Sequence, residues 1–99
     1  MTSTSNATDT PPVFLDVRSL GEFQNGHLDG ALHLPLDQLQ HGIARLVPDR
    51  GQPLVLYCAS GARSAFGCSL LQQLGYQDAR NGGGLGLLAM TTQRAIRRS

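Results

Sequence analysis

"PLVLYCASGARSAFGC", residues 53–68, is the stretch on which the reading of the chain turns. PLVLYC is an apolar run of strand length. RSAFGCSLLQQLG, at 63–75, has a helical pattern with Gly67, Cys68, Leu71 and Leu74 inward and Gly75 as its C-terminal stop. Between Cys58 and Arg63 stand four residues, Ala59, Ser60, Gly61 and Ala62, all small. If they turn tightly from strand to helix, successive backbone N–H groups point inward as a nest for an anion, and the helix adds its positive end. A cysteine placed there is favoured as the thiolate, because the amides, the helix end and Arg63 all stabilise negative charge. The plainer reading is an inert core residue, the common fate of a lone cysteine after an apolar strand. Gly61, Arg63 and the helix start weigh against it.

Upstream, VFLDV at 13–17 is apolar except for Asp16, which suits a central strand covered on both faces. Ser19 with Glu22 three residues on makes a capping box, predicting a short helical turn. Turn residues at Asn25, Gly26, Asp29 and Gly30 precede a short strand candidate at 31–34. Asp37 is the expected N-cap of a helix whose apolar face is Leu39, Ile43, Leu46 and Val47, ended by Pro48. Downstream, a short strand is expected at 77–80, followed by a flexible triple glycine, an apolar stretch of little periodicity and a frayed basic helix in TTQRAIRRS. Strands alternating with helices predict an α/β fold, a small mostly parallel sheet flanked by helices on both faces. Such sheets bind ligands outside the carboxyl ends of their strands, where Cys58 falls.

The 99 residues allow one domain, expected at 13–93, with a disordered polar tail at 1–12 and a mobile basic end at 94–99. A net charge of +1 and 15% charged residues give no broad field for nucleic acid or an anionic membrane, and neither is expected as a partner. The absence of a long apolar segment predicts a cytoplasmic protein, or a periplasmic one if a signal was removed before residue 1. Two cysteines and three scattered histidines match neither a disulfide framework nor a common zinc spacing, so neither metal nor cofactor is expected.

FLDVRSLGEFQNGHLDGALHLP, LYCASGARSA and LLQQLGYQDARNGGGLGLLAM together resemble the rhodanese family. The shared pattern is an Asp-Val-Arg strand end, a Glu-aromatic turn, a Gly-His-apolar-x-Gly-Ala segment, a Cys-x-x-Gly-x-Arg-Ser loop and a Leu-Gly-Tyr turn before a glycine pair. The resemblance runs from about Val13 to Met90 and is closest to the small single-domain members of phage-shock type. It implies a rhodanese-like fold and a sulfurtransferase. Cys58 would take a sulfane sulfur from thiosulfate or a related donor as a persulfide, held by the amides of Ala59, Ser60, Gly61, Ala62 and Arg63, and pass it to cyanide or a thiol. The alternatives are a sulfur-relay or binding module loaded by a protein donor, with a protein as acceptor, and a cysteine-dependent phosphatase or arsenate reductase. The four-residue spacing to Arg63 is one short of the phosphatase loop.

Arg63 is expected to line the anion pocket, with pairing to a surface carboxylate as the other reading. Arg18 either attracts an anionic donor or ties loops by a salt bridge, and Asp16 is read as accepting backbone hydrogen bonds. Ser64 is expected as a helix-start hydrogen-bonding residue, His27 as loop packing, Cys68 as core, and Gly82, Gly83 and Gly84 as the site of a close backbone approach. Arg94, Arg97 and Arg98 are read either as a docking patch for a partner or, as the ordinary expectation, as a solvated, mobile end. Ala59 and Ala62 stand where many relatives carry basic residues, and the tryptophan often found after the glycine pair is absent. The two alanines leave a less positive mouth and predict weaker attraction of thiosulfate.

Overall fold

The strand VFLD (β1, Val13–Asp16) lies between β3 (Leu32–His33) and β4 (Leu54–Cys58), and β5 (Ala79–Gly84) pairs with the far side of β4. All three pairings are parallel, giving the order β3-β1-β4-β5 in a computed structural model that describes residues 10–99. Because successive side chains of a strand point to opposite faces, the two central strands feed two cores. Leu15, Leu54, Leu56 and Cys58 face α2 (Leu39–Leu46) and α3 (Ala62–Gln73), which add Leu39, Ile43, Cys68 and Leu71. Phe14 and Tyr57 face the other way, onto Leu28 of β2 (His27–Leu28) and Leu88 of α4 (Leu85–Thr92). The α/β sheet covered by helices on both faces is therefore as the sequence predicts. Leu15, Leu54 and Leu56 are each at 0% exposure, and burying each contributes roughly 1.5–3 kcal/mol.

Ser19 and Glu22 form the expected capping box at the start of α1 (Leu20–Asn25). Before α2 the structure differs. Leu36–Gln38 already forms a 3-10 turn, so Gln38 and not Asp37 occupies the capping position. Leu46 points to solvent at 38% exposure, leaving Leu39, Ile43 and Val47 as the buried face.

The triple glycine is not a flexible loop but the second half of β5, whose register against β4 slips by one residue between Leu56↔Asn81 and Cys58↔Gly84. The physical reason is closeness. A Cβ on Gly82 would lie 2.7 Å from Val55 Cγ1, and one on Gly84 would lie 2.5 Å from the carbonyl oxygen of Ala59. Gly83, at φ +83°, absorbs the extra residue as a bulge.

The basic end is neither a frayed helix nor detached. After α4, Gln93 turns the chain at φ 58°, and β6 (Ile96–Arg97) pairs antiparallel with β2. Arg94 donates to the Asp29 carbonyl at 2.9 Å and lies 4.4 Å from the Phe14 ring centre, while Arg97 bonds the Asp29 carboxylate at 3.2 Å. Of the tail expected at 1–12, residues 1–9 lie outside the described residues. Among the described residues no helix is long and apolar enough to cross a membrane.

Candidate active site

Cys58 ends β4, Ala59 to Gly61 turn the chain, and α3 begins at Ala62. Gly61 makes this turn possible: its φ of +100° is a conformation that side-chain-bearing residues seldom adopt. In that conformation its N–H points back at the sulfur and donates to Cys58 Sγ at 3.0 Å. The Ser64 hydroxyl, one helical turn on, lies 3.5 Å from the same sulfur.

Cys58 is wholly buried. Burial alone would raise its pKa. Once the sulfur is ionised, the Ser64 hydroxyl and the amides of Ser64, Ser60 and Gly61 can all donate to it, which outweighs burial and brings the thiol from 9.0 down to about 7. The Gly61 N–H is the amide seated on the sulfur, and those of Ser60 and Ser64 also favour its anion. Ala59 and Ala62 are exposed and supply room rather than charge. Cys68 shows the opposite case: it is buried in the larger core, and desolvation pushes its thiol up.

Arg63 reaches from the start of α3 to a carboxylate of α1. Its guanidinium forms two hydrogen bonds with Glu22 of α1, at 2.8 and 2.9 Å, with both side chains about 40% and 35% exposed. This is a carboxylate pair, formed by a guanidinium that still lies near enough to Cys58 to interact with it. Hydrogen bonding to Arg63, aided by the Ser19 backbone and hydroxyl, holds Glu22 down at about 2 against the smaller opposing effect of burial. The same bond to Glu22 holds the Arg63 guanidinium still more firmly protonated, and its charge also acts on Cys58.

Arg18 is held in a structural tie. It is buried, forms a fork with both Asp16 carboxylate oxygens at 2.7–3.1 Å, and donates to the Gly26 carbonyl at 2.5 Å. Asp16 also accepts from the Arg18 backbone N–H at 2.9 Å, the loop-organising role read from its place in an apolar strand. His27 packs as expected: its ring stacks on Phe23 at 3.8 Å, and its Nδ1 lies 2.8 Å from the Phe23 carbonyl.

A cleft of about 480 Å³ opens beside the cysteine loop, lined by Val17, Ser19, Pro35, Leu36, Asp37, Arg63 and Phe66. Phe66 stands at its edge, 66% exposed. The sequence reading overlooked one residue, Asn81. Its Nδ2 donates to the Gly61 carbonyl at 3.0 Å, and its Oδ1 lies 2.6 Å from the Ser64 hydroxyl. The available signal was an asparagine, a poor strand former, placed directly before glycines that must lie against the loop.

Comparison with known proteins agrees with this geometry. Residues 3–84 match the family model described as a rhodanese-like domain. The thiosulfate sulfurtransferase PspE of Escherichia coli is 36% identical over 84 residues, covering 80% of this chain and 81% of that protein. A longer relative, the tRNA uridine(34) hydroxylase of Erwinia tasmaniensis, is 32% identical over 71% of this chain but only 21% of its own length. Among solved structures, one described as a rhodanese with anions from E. coli superposes with a TM-score of 0.82 and 30% identity, over 90% of this chain and all of that one. On these matches, and on a cysteine loop cradled where the sheet's carboxyl ends meet α3, the chain belongs to the rhodanese-like domain family.

Proposed function

We propose that this protein is a sulfurtransferase in which Cys58 carries the transferred sulfur. The observation that carries the reading is the Gly61 N–H held 3.0 Å from a sulfur whose thiol sits at about 7. A thiol lowered this far supplies thiolate, the form that attacks, near neutral pH. Thiosulfate is the donor suggested by the name of the E. coli relative. The Cys58 thiolate attacks its outer sulfur, the S–S bond of thiosulfate breaks, and its electron pair leaves with sulfite. Cys58 is left as a persulfide anion. Cyanide or a thiolate then attacks the outer sulfur of that persulfide, forming thiocyanate or a new persulfide and returning the Cys58 thiolate.

The backbone of Ala59, Ser60, Gly61, Ala62 and Arg63 is the cradle we assign to the outer sulfur. Fixed amides stabilise a negative sulfur without reorganising as it forms. Because Cys58 itself is buried, the donor sulfur enters from the exposed side of the loop, past Ala59, Ser60 and Ala62. Phosphoryl transfer fits less well, since the loop arginine is already engaged by Glu22.

A sulfur relay fed by a protein or thiol carrier is the second reading, and a specific observation favours it. Arg63 is paired, Arg18 is buried, and the neighbouring cleft is lined mainly by Val17, Pro35, Leu36 and Phe66, so the mouth attracts a dianion weakly. The two free thiols fit a reducing compartment, and we assign the cytoplasm on that ground. The test is thiocyanate formation from thiosulfate and cyanide, with wild type and Cys58→Ser compared. Turnover that depends on Cys58 supports the enzyme, turnover that survives its loss overturns both readings, and Cys58-dependent uptake only from persulfidated thiols favours the relay.

A further inference from the structure

The Ser64 hydroxyl has one proton and is surrounded by three acceptors: Asn81 Oδ1 at 2.6 Å, the Gly61 carbonyl at 3.2 Å and Cys58 Sγ at 3.5 Å. The orientation of the Asn81 amide settles where that proton goes. Gly83 N–H donates to Oδ1 at 2.9 Å, and Nδ2 donates to the Gly61 carbonyl at 3.0 Å. Turning the amide over would set N–H against N–H at one end and oxygen against oxygen at the other. Oδ1 therefore faces Ser64, and as a pure acceptor it must receive the hydroxyl proton. Ser64 then presents a lone pair to the sulfur, which suits S–H and opposes S⁻. Helping an anionic sulfur requires the hydroxyl to rotate, leaving Oδ1 with Gly83 N–H as its donor.

We propose that Asn81 is a positioning residue that competes with Cys58 for the Ser64 proton, so that the hydroxyl points to Asn81 while the sulfur carries hydrogen and swings onto the sulfur when it is thiolate or persulfide. When Cys58 ionises, the S–H proton leaves to solvent. The Ser64 proton stays on its oxygen and only changes partner. Asn81 thus sets the balance between a protected resting thiol and a reactive anion from outside the cysteine loop. The catalytic meaning rests on Cys58 being the sulfur carrier, whereas the ionisation itself does not.

The test is a double-mutant cycle read by thiolate absorbance against pH, in a Cys68→Ala background so that one thiol reports. Asn81 is exposed on the edge strand β5, so Asn81→Ala is compatible with folding; the isosteric Asn81→Leu serves if alanine is not tolerated. Arg63 of α3 with its partner Glu22 of α1, Asp37 beside them in the cleft, the Asp16–Arg18 pair at the end of β1 and the Arg80–Asp78 pair at the start of β5 are the same in all four proteins, so their fields cancel in the cycle. With Ser64 present, Asn81→Ala leaves the hydroxyl the Gly61 carbonyl, already bonded by the Ala65 N–H, and the sulfur; the ionised sulfur is the stronger acceptor, so the Cys58 midpoint falls by about one unit, a tenfold change in ionisation. In the Ser64→Ala background the same substitution produces no such fall. A residue that merely clamps the loop would shift the midpoint equally in both backgrounds. An equal shift in either direction, or no shift with Ser64 present, overturns the proposal. Failure of Cys58 to accept sulfur would count against the sulfur-transfer reading and leave this cycle readable.

Discussion

Gly61→Ala separates the backbone cradle from every other influence on Cys58. At φ +100° an alanine is strained by about 1–2 kcal/mol, and its Cβ would stand 3.2 Å from Gly83 Cα on the neighbouring strand. The loop relieves both by rotating the Ser60–Gly61 peptide, which carries its N–H away from Sγ. A hydrogen bond to a charged acceptor is worth about 1.5–3 kcal/mol, so its loss moves the Cys58 midpoint up from about 7 by about one to two units. The same thiol has a stability signature. Its folded pKa lies below the ordinary 9.0, so between pH 7 and pH 9 the unfolded chain holds a proton that the native state has released. Stability therefore rises through that window by roughly 2–3 kcal/mol relative to Cys58→Ser, is fully present above pH 9, and is lost as pH falls through 7. In Gly61→Ala the rise shrinks to about 1 kcal/mol or less. Urea unfolding at several pH values, with thiolate absorbance on the same samples, measures both. An unchanged Cys58 midpoint in Gly61→Ala, or a wild-type stability that tracks Cys58→Ser across the window, refutes the argument that the loop amides hold the sulfur as an anion.

Glu22→Gln frees the Arg63 guanidinium at the loop mouth, and the Michaelis constant for thiosulfate should fall severalfold at low salt, with the gain vanishing as salt is added. Because that pair is more than a third exposed, its loss costs well under 1 kcal/mol. In wild type the stability due to Glu22 is present above pH 4.5 and disappears as pH falls toward 2, which acid titration of the folded fraction against Glu22→Gln detects. Arg18→Met leaves Asp16 buried without its partner and should lower stability by about 3–5 kcal/mol, seen as a large drop in Tm; a drop no larger than that of a surface variant would remove Arg18 from its role as a tie. Gly84→Ala drives a Cβ to 2.5 Å from the Ala59 carbonyl, so sulfur transfer should fall at least tenfold at a stability loss of about 1–3 kcal/mol. Full activity there would mean that β5 does not position the loop.

The parts of the fold legible in the sequence are those in which one local pattern has one outcome. VFLDV and PLVLYC are apolar on both faces and become the two central strands, and the capping box at Ser19 and Glu22 starts α1 as written. The cysteine loop was legible because small residues between a strand and a helix leave few ways for the backbone to turn. What the sequence concealed depends on partners far along the chain. NGGG reads as a loop until β4 lies beside it, and only then do its missing side chains become the reason it is a strand. Ile96–Arg97 is too short to show a period and becomes β6 only through pairing with β2. Arg63 and Arg18 looked alike as cations near an anion site. Their separation came from Glu22 and Asp16, one meeting its arginine across the fold at partial exposure and the other burying a fork two residues away. Asn81 escaped notice because its acceptor faces a serine that the sequence had already placed in a helix.

The central claim, that Cys58 bears the transferred sulfur as a stabilised anion, is tested most directly by the mass of the intact protein after exposure to thiosulfate, followed by peptide mapping. The account predicts a gain of about one sulfur atom per chain, located on the peptide containing Cys58, removed by cyanide and absent in Cys58→Ser. Sulfur found on Cys68, or an unchanged mass in protein whose Cys58 thiolate titrates near pH 7, would contradict it.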